Sequence, residues 1–156
     1  MDKRGFLLAE ETLKIIIALI SISFLIFFLT SLYLSNVKEE KIKQANSILK
    51  ESGESLQIII SNLKIGEEKK MNLANPKGWF LFGFTDEKPD SCAGQNCVCL
   101  CGEAGFFGTQ TEECSKKGIC LPVESLMPFE RIEIKSPEIT EILIKKENEG
   151  ISIEEI

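Results

Sequence analysis

The sequence contains no histidine, and only one tryptophan and one tyrosine occur among its 156 residues. The absence of histidine removes the side chain that most often performs acid–base catalysis near neutral pH. It also excludes a zinc site of the Cys₂His₂ type. The chain has neither a G-x-S-x-G nucleophile turn nor the G-x-x-x-x-G-K sequence of a phosphate-binding loop. We therefore expect a protein that is not an enzyme and that needs no cofactor.

An excess of basic residues is absent as well. The chain has 24 acidic and 18 basic residues and a formal net charge of −6. Binding to the phosphates of nucleic acids depends on lysine and arginine, so this balance disfavours it. We therefore expect no nucleic acid among the partners.

The longest pattern that is present is an apolar run without a charged residue over positions 15–34. Twenty helical residues at about 1.5 Å each span roughly 30 Å, the thickness of the hydrocarbon core of a bilayer. The run is too long for the apolar region of a secretory signal peptide, and residues 31–35 contain no A-x-A-like cleavage site. This pattern predicts one membrane-spanning helix.

The residues before this run resemble the N-terminus of type IV pilins and pseudopilins. Members of this superfamily carry a short basic leader that ends in glycine, an apolar first mature residue and a glutamate at the fifth mature position. Here Lys3-Arg4-Gly5 matches the end of the leader, Phe6 the first mature residue and Glu10 the fifth. The resemblance implies a leader over 1–5, which a prepilin-type peptidase removes between Gly5 and Phe6. It also implies that Glu10 neutralises the N-terminal amine of a neighbouring subunit, since a buried carboxylate needs a cationic partner.

An uncleaved membrane anchor is the alternative interpretation of the same residues. Lys14 follows Glu11 by three residues and Glu10 by four, the spacings at which opposite charges pair within one helix. In both interpretations the basic residues at the N-terminus stay on the cytoplasmic side, and the acidic C-terminal part lies outside. We expect a single-pass protein of the cytoplasmic membrane of a prokaryote.

Six cysteines form the second distinctive pattern, and all of them lie within residues 92–120. An even number of clustered cysteines in a small exported domain is typical of a disulfide framework. Metal and iron–sulfur sites usually show C-x-x-C spacing, which this chain lacks. We expect disulfides and no metal, with a metal site and reactive free thiols as the alternatives. The residues concerned are Cys92, Cys97, Cys99, Cys101, Cys114 and Cys120.

The alternating sequence over Cys97–Cys101 predicts a strand with three cysteines on one face. Such residues lie about 6.6 Å apart along the strand and bridge each other poorly. Each is therefore expected to pair with one of the other three cysteines, which leaves six of the fifteen connectivities that six cysteines allow. Among these six we favour Cys92–Cys97, Cys99–Cys120 and Cys101–Cys114. The last two pairs are nested, as an antiparallel pairing of the strands at Cys97 and Ile119 requires.

Together with the apolar run and the cysteines, the rest of the sequence predicts an α+β fold. It has a long N-terminal transmembrane helix and a small antiparallel β-rich domain cross-linked by disulfides. The helix is expected over 6–65, with a bend near Gly53 and a C-terminal cap at Gly66. A strand over 56–60 is the alternative, because β-branched residues favour strands. Apolar residues at helical spacing support the helix: Val37, Ile42, Ala45, Leu49, Leu56, Ile60 and Leu63.

The β-rich domain is expected over 66–156. Its predicted strands include an aromatic one over 79–84 and one that begins at Ile119, after a glycine-containing loop. Residues 142–144 and 151–153 predict a hairpin around Asn148 and Gly150. A long N-terminal helix before a domain of this kind is also the plan of pilins.

We interpret the chain as a pilin-like structural membrane protein. Its N-terminal helix is expected to assemble with copies of itself or with other pilin-like subunits, in a filament or a small surface assembly. The lipid bilayer and the prepilin-type peptidase are its other expected partners. The alternatives are an anchored binding domain that does not assemble and a membrane-tethered thiol/disulfide protein.

Overall fold

A computed structural model of the chain describes residues 3–106, 108–135 and 138–156, with side chains from Glu11 onward. Met1 and Asp2 of the predicted leader lie outside the described residues. The chain divides into two compact units, Met1–Glu39 and Glu40–Ile156. We call the second unit the head.

The helical part of the chain begins earlier than the sequence predicts and is interrupted before its C-terminal end. Helix α1 occupies Lys3–Asn46 and continues as a π-helical turn over Ser47–Glu51. The backbone is extended at Ser52, with φ −79° and ψ 154°. Helix α2 then occupies Leu56–Asn62. The predicted single helix over 6–65 is therefore interrupted, at the place where the sequence predicts a bend near Gly53.

The end of α2 differs from the prediction because of tertiary packing. Residues 56–60 are helical, so the strand alternative is wrong. The helix does not continue to a cap at Gly66, because Leu63 is already extended and buries its side chain in the core of the head. Gly66, with φ +85°, instead forms part of the turn that follows. This conformation is one that glycine adopts without steric cost.

In the part of the chain that the structure describes, seven strands form two antiparallel sheets, both in the head. The first sheet has the order β1 (Glu68–Leu73), β6 (Thr140–Lys146), β7 (Ile151–Glu155). The second has the order β4 (Ile119–Pro122), β3 (Cys97–Cys101), β2 (Phe80–Phe84), β5 (Ile132–Glu133). A 3₁₀ turn at Asp90–Cys92 precedes β3, and helix α3 at Gln110–Lys117 precedes β4.

One core combines side chains from both sheets and from the helical segment of the head. The strands contribute alternate residues, as a strand with one face toward a core should. The fully buried members include Leu49, Leu56, Leu73, Leu81, Val98, Leu100, Ile134, Ile142 and Ile144. The antiparallel β-rich domain of the prediction is thus present, and residues 40–63 pack with it.

The predicted hairpin is confirmed as β6 and β7. Ile144 pairs with Ile153, and the Glu147 N–H donates to the Gly150 carbonyl at 2.8 Å. Gly150 has φ +153°, and a Cβ at this position would overlap the carbonyl oxygen of Ser125. Only glycine therefore fits the turn.

Candidate functional site: apolar helix and cysteine cluster

The residues of the predicted leader junction belong to α1. The backbones of Gly5, Phe6 and Glu10 are helical, whereas their side chains lie outside the described part of the chain. Cleavage between Gly5 and Phe6 and the assembly role of Glu10 therefore stay predictions.

The apolar segment of α1 exposes its side chains in every direction. Between Leu13 and Leu34 the large apolar side chains are 48–71 % exposed. Ile15, Ile16 and Ile17 follow one another around the helix and are all more than half exposed. The helix is long and apolar enough to cross a membrane. Apolar surface in contact with water costs about 25 cal/mol per Å², so lipid tails or other apolar helices are its suitable surroundings.

Three hydroxyl groups within this segment are bonded to the helix itself. The hydroxyls of Ser21, Ser23 and Thr30 each donate to the carbonyl oxygen four residues earlier, at 2.8–2.9 Å. A polar group without a partner costs several kcal/mol in hydrocarbon. These internal bonds lower the cost of placing these three hydroxyls in a bilayer.

Strand β3 lies inside the second sheet, and its five residues are all buried. Val98 and Leu100 belong to the core between the elements of the head, whereas the three cysteines of β3 form a second cluster with the other three. The register places Phe80 opposite Cys101, Phe82 opposite Cys99 and Phe84 opposite Cys97. Phe82 and Phe84 pack against the cysteines. The aromatic side chains of β2 therefore help to shield the cysteine cluster from water.

The structure contains the three cysteine pairs that the sequence analysis favours. Cys92 is bonded to Cys97, Cys99 to Cys120 and Cys101 to Cys114, with Cα–Cα distances of 5.9, 4.1 and 5.1 Å. Cys99 and Cys120 are directly opposite each other on β3 and β4. The other two disulfides attach the 3₁₀ turn and helix α3 to the same strand. All three cysteines of β3 thus fix neighbouring elements to the sheet.

Four of the sulfur atoms lie closer together than strand geometry alone implies. The Sγ atom of Cys99 is 3.7 Å from those of both Cys92 and Cys97, although these pairs are not bonded. The Sγ atoms of Cys92, Cys97, Cys99 and Cys120 all lie within 4.8 Å of one another. The side chains of Cys97 and Cys99 lean toward each other, so their sulfurs are much closer than the expected spacing of about 6.6 Å along a strand.

Helix α3 is missing from the sequence prediction, which places only a loop before Ile119. Its signals are nevertheless local: the Thr109 hydroxyl accepts a bond from the Glu112 N–H at 3.3 Å, and two lysines precede Gly118. A threonine followed three residues later by glutamate is a capping sequence, and lysines suit the C-terminal end of a helix. The helix positions Cys114 for its bond to β3.

The side chain of Gln110 has a positioning role that the sequence does not indicate. Its side-chain amide donates to the Gly102 carbonyl at 2.8 Å and accepts from the Ala104 N–H at 2.9 Å. It thereby fixes the chain that leaves β3 beside the Cys101–Cys114 disulfide. A lone glutamine carries no sequence signal for such a role.

Charged side chains around the sheets form exposed pairs. Arg131 lies 5.0 Å from the ring centre of Phe80 and 2.6 Å from a carboxylate oxygen of Glu103. A hydrogen bond from Lys135 to Glu155, together with the charge of that carboxylate, raises the pKa of Lys135. A hydrogen bond from Lys145 to Glu154 likewise raises the pKa of Lys145. Exposed pairs of this kind contribute little to stability.

Comparison of the chain with models of protein families, with curated proteins and with solved structures finds no match.

Proposed function

We propose that the chain is a pilin-like structural protein of a prokaryotic cytoplasmic membrane. In this proposal α1 crosses the bilayer, the head lies outside, and the mature protein assembles through α1 into a filament or a small surface assembly. The observation that supports it most is the apolar segment of α1, which is uncovered in every direction and binds the hydroxyls of Ser21, Ser23 and Thr30 to its own backbone. Such a segment suits contact with lipid and with other helices of the same kind.

The position of Glu10 supports assembly rather than simple anchoring. Cleavage after Gly5 would create a positively charged amine on Phe6, four residues or about 6 Å of helix rise before Glu10. A neighbouring helix shifted by about one turn would bring its amine beside this carboxylate. Two opposite charges at the edge of the apolar layer stabilise each other where either one alone is costly.

The disulfides of the head support its placement outside the cell. All six cysteines are buried and paired. Disulfides form and persist in oxidising compartments and are rare in the cytosol. The basic residues before the apolar segment favour the same orientation.

The first test is the mass of the protein isolated from its native membrane. We expect the loss of residues 1–5 and a mature chain that begins at Phe6. The matched control is the same gene expressed in a host without a prepilin-type peptidase, where the full-length chain should remain. A full-length N-terminus in most native molecules would contradict the proposal and leave a plain membrane anchor.

The second test compares Glu10→Ala with Glu11→Ala, which removes the adjacent carboxylate from another side of the helix. Loss of one partner of a buried ion pair costs about 3–5 kcal/mol. We therefore expect E10A to abolish cross-linked oligomers in the membrane and E11A to leave them largely intact. The unfolding temperature of the head, followed through Trp79, should be the same in both variants. Normal assembly of E10A would refute the role given to this residue.

A further inference from the structure

Four sulfur atoms converge at one point of the head, and this arrangement exceeds what disulfide formation requires. The atoms belong to Cys92, Cys97, Cys99 and Cys120, and all lie within 4.8 Å of one another. Two disulfides need only two separate close pairs. Here Cys99 also lies 3.7 Å from both sulfurs of the Cys92–Cys97 bridge.

These distances match the geometry of a tetrahedral metal site. Zinc binds thiolate sulfur at about 2.3 Å, so the edges of a zinc–sulfur tetrahedron are about 3.8 Å long. The two non-bonded distances of 3.7 Å already have this length. Reduction would allow the two bonded pairs to separate toward the same spacing by rotation of their side chains.

We propose that these four cysteines, when reduced, form a buried tetrathiolate site for one Zn²⁺ that is mutually exclusive with their two disulfides. The reductant is a dithiol: two dithiols and Zn²⁺ convert the two protein disulfides into the zinc tetrathiolate, two cyclic disulfides and four protons. In the reverse direction, two small disulfides oxidise the four thiolates of the zinc site to two protein disulfides. The small disulfides accept four electrons and four protons and become four small thiols, and Zn²⁺ is released.

The surroundings suit such a site. The four cysteines are at most 5 % exposed, and Phe82 and Phe84 pack against the cluster. The Ser91 hydroxyl donates to the Sγ atom of Cys120 at 3.2 Å. Donors of this kind orient metal ligands and stabilise charge on sulfur. An all-thiolate tetrahedral set favours zinc over the hard cations calcium and magnesium.

The other disulfide provides a matched control. Cys101 and Cys114 do not belong to the group of four converging sulfurs among the described residues. The variant C101S/C114S therefore keeps every proposed ligand. C99S removes the ligand whose Sγ atom lies 3.7 Å from those of both Cys92 and Cys97. The titration compares the variants in the reduced state, in which neither they nor the wild type contain a disulfide, so loss of a cross-link does not distinguish them.

The test is a titration of the full-length chain in detergent, reduced with a dithiol and freed of it without oxygen. Co²⁺ is the first probe, because its absorption reports tetrahedral sulfur coordination, and Zn²⁺ is then used to displace it. We expect one ion per chain in the wild type and in C101S/C114S, together with a native near-UV signal from Trp79. Loss of a group that only hydrogen-bonds to a metal ligand costs roughly 10- to 100-fold in affinity. C99S removes a ligand itself, so its affinity should fall by more than about 100-fold.

Three outcomes would overturn the proposal. The first is the absence of a tetrahedral cobalt spectrum in the reduced wild type. The second is equal affinity of C99S and C101S/C114S. The third is binding without a native Trp79 signal, which would indicate thiols of an unfolded chain. Release of one Zn²⁺ on addition of a small disulfide, with the loss of four thiols, would support the exclusive relation between metal and disulfides.

Discussion

Gly118 occupies a position where α3 ends against strand β3, and its replacement by alanine tests the packing around the cysteine cluster. An alanine Cβ at this position would lie 2.6 Å from the Cβ of Cys101, 2.8 Å from the carbonyl oxygen of Cys114 and 2.9 Å from that of Leu100. Its backbone conformation, φ −109° and ψ 176°, is one that any residue adopts. Space alone therefore requires glycine here.

The magnitude follows from which atoms would have to move. Two of the three contacts are backbone oxygens, and the third is the Cβ of a disulfide-bonded strand residue, so no rotamer change relieves them. Insertion of a methyl group into such a site costs about 1–3 kcal/mol. Replacement of glycine by alanine also reduces the conformational entropy of the unfolded chain, which stabilises the folded protein by about 0.4–1 kcal/mol. We expect G118A to lower the free energy of unfolding by about 1–2 kcal/mol.

The control is Gly53→Ala, because Gly53 has no atom within 4 Å of an added Cβ and its φ lies outside the left-handed region. This variant should stabilise the head by about 0.4–1 kcal/mol. Trp79 is the only tryptophan and is 7 % exposed, so its fluorescence reports unfolding of the head in the oxidised, full-length protein. At roughly 4 °C per kcal/mol, the unfolding temperature of G118A should fall by about 4–8 °C. A G118A protein as stable as G53A would refute the packing argument.

Two further predictions concern the stability of the head and use the same measurement. The disulfides Cys92–Cys97, Cys101–Cys114 and Cys99–Cys120 have sequence separations of 5, 13 and 21. Loop entropy then predicts losses of about 2.2, 3.0 and 3.4 kcal/mol when each pair is replaced by alanine, and a reversed order would contradict it. Leu81 is fully buried, so L81A should lose about 2–5 kcal/mol. The control is I65A, at a side chain that is 64 % exposed, which should change the free energy of unfolding by no more than about 0.5 kcal/mol. Equal losses of stability in L81A and I65A would refute the assignment of Leu81 to the core.

Several features could be predicted from the sequence because local residues determine them. A run of twenty uncharged residues forms an apolar helix whatever follows it, since the backbone bonds and the apolar surface lie within the same segment. The alternation of Cys97–Cys101 places three cysteines on one face, because side chains of a strand alternate. The hairpin of β6 and β7 follows from short apolar segments on both sides of a turn that contains Asn148 and Gly150.

The end of the helical segment shows why other features were not predictable. Leu63 continues the helical spacing of apolar residues, yet it is extended because its side chain is buried in the core of the head. The sequence contains the helical preference but not the partner that overrides it. The position of Gly118 has the same explanation, since the atoms that exclude a side chain belong to a strand and a helix that only folding brings together.

The sequence by itself determined the apolar helix, the absence of histidine chemistry and the set of cysteines that face one side of β3. Tertiary structure alone decided how close the sulfurs are. Cys92 lies on a 3₁₀ turn and Cys120 on β4, and the fold brings both within 4.8 Å of Cys97 and Cys99. The position of a residue in a strand specifies which face of the sheet its side chain lies on. Distances between sulfurs from three elements depend on how those elements pack, which no local pattern encodes.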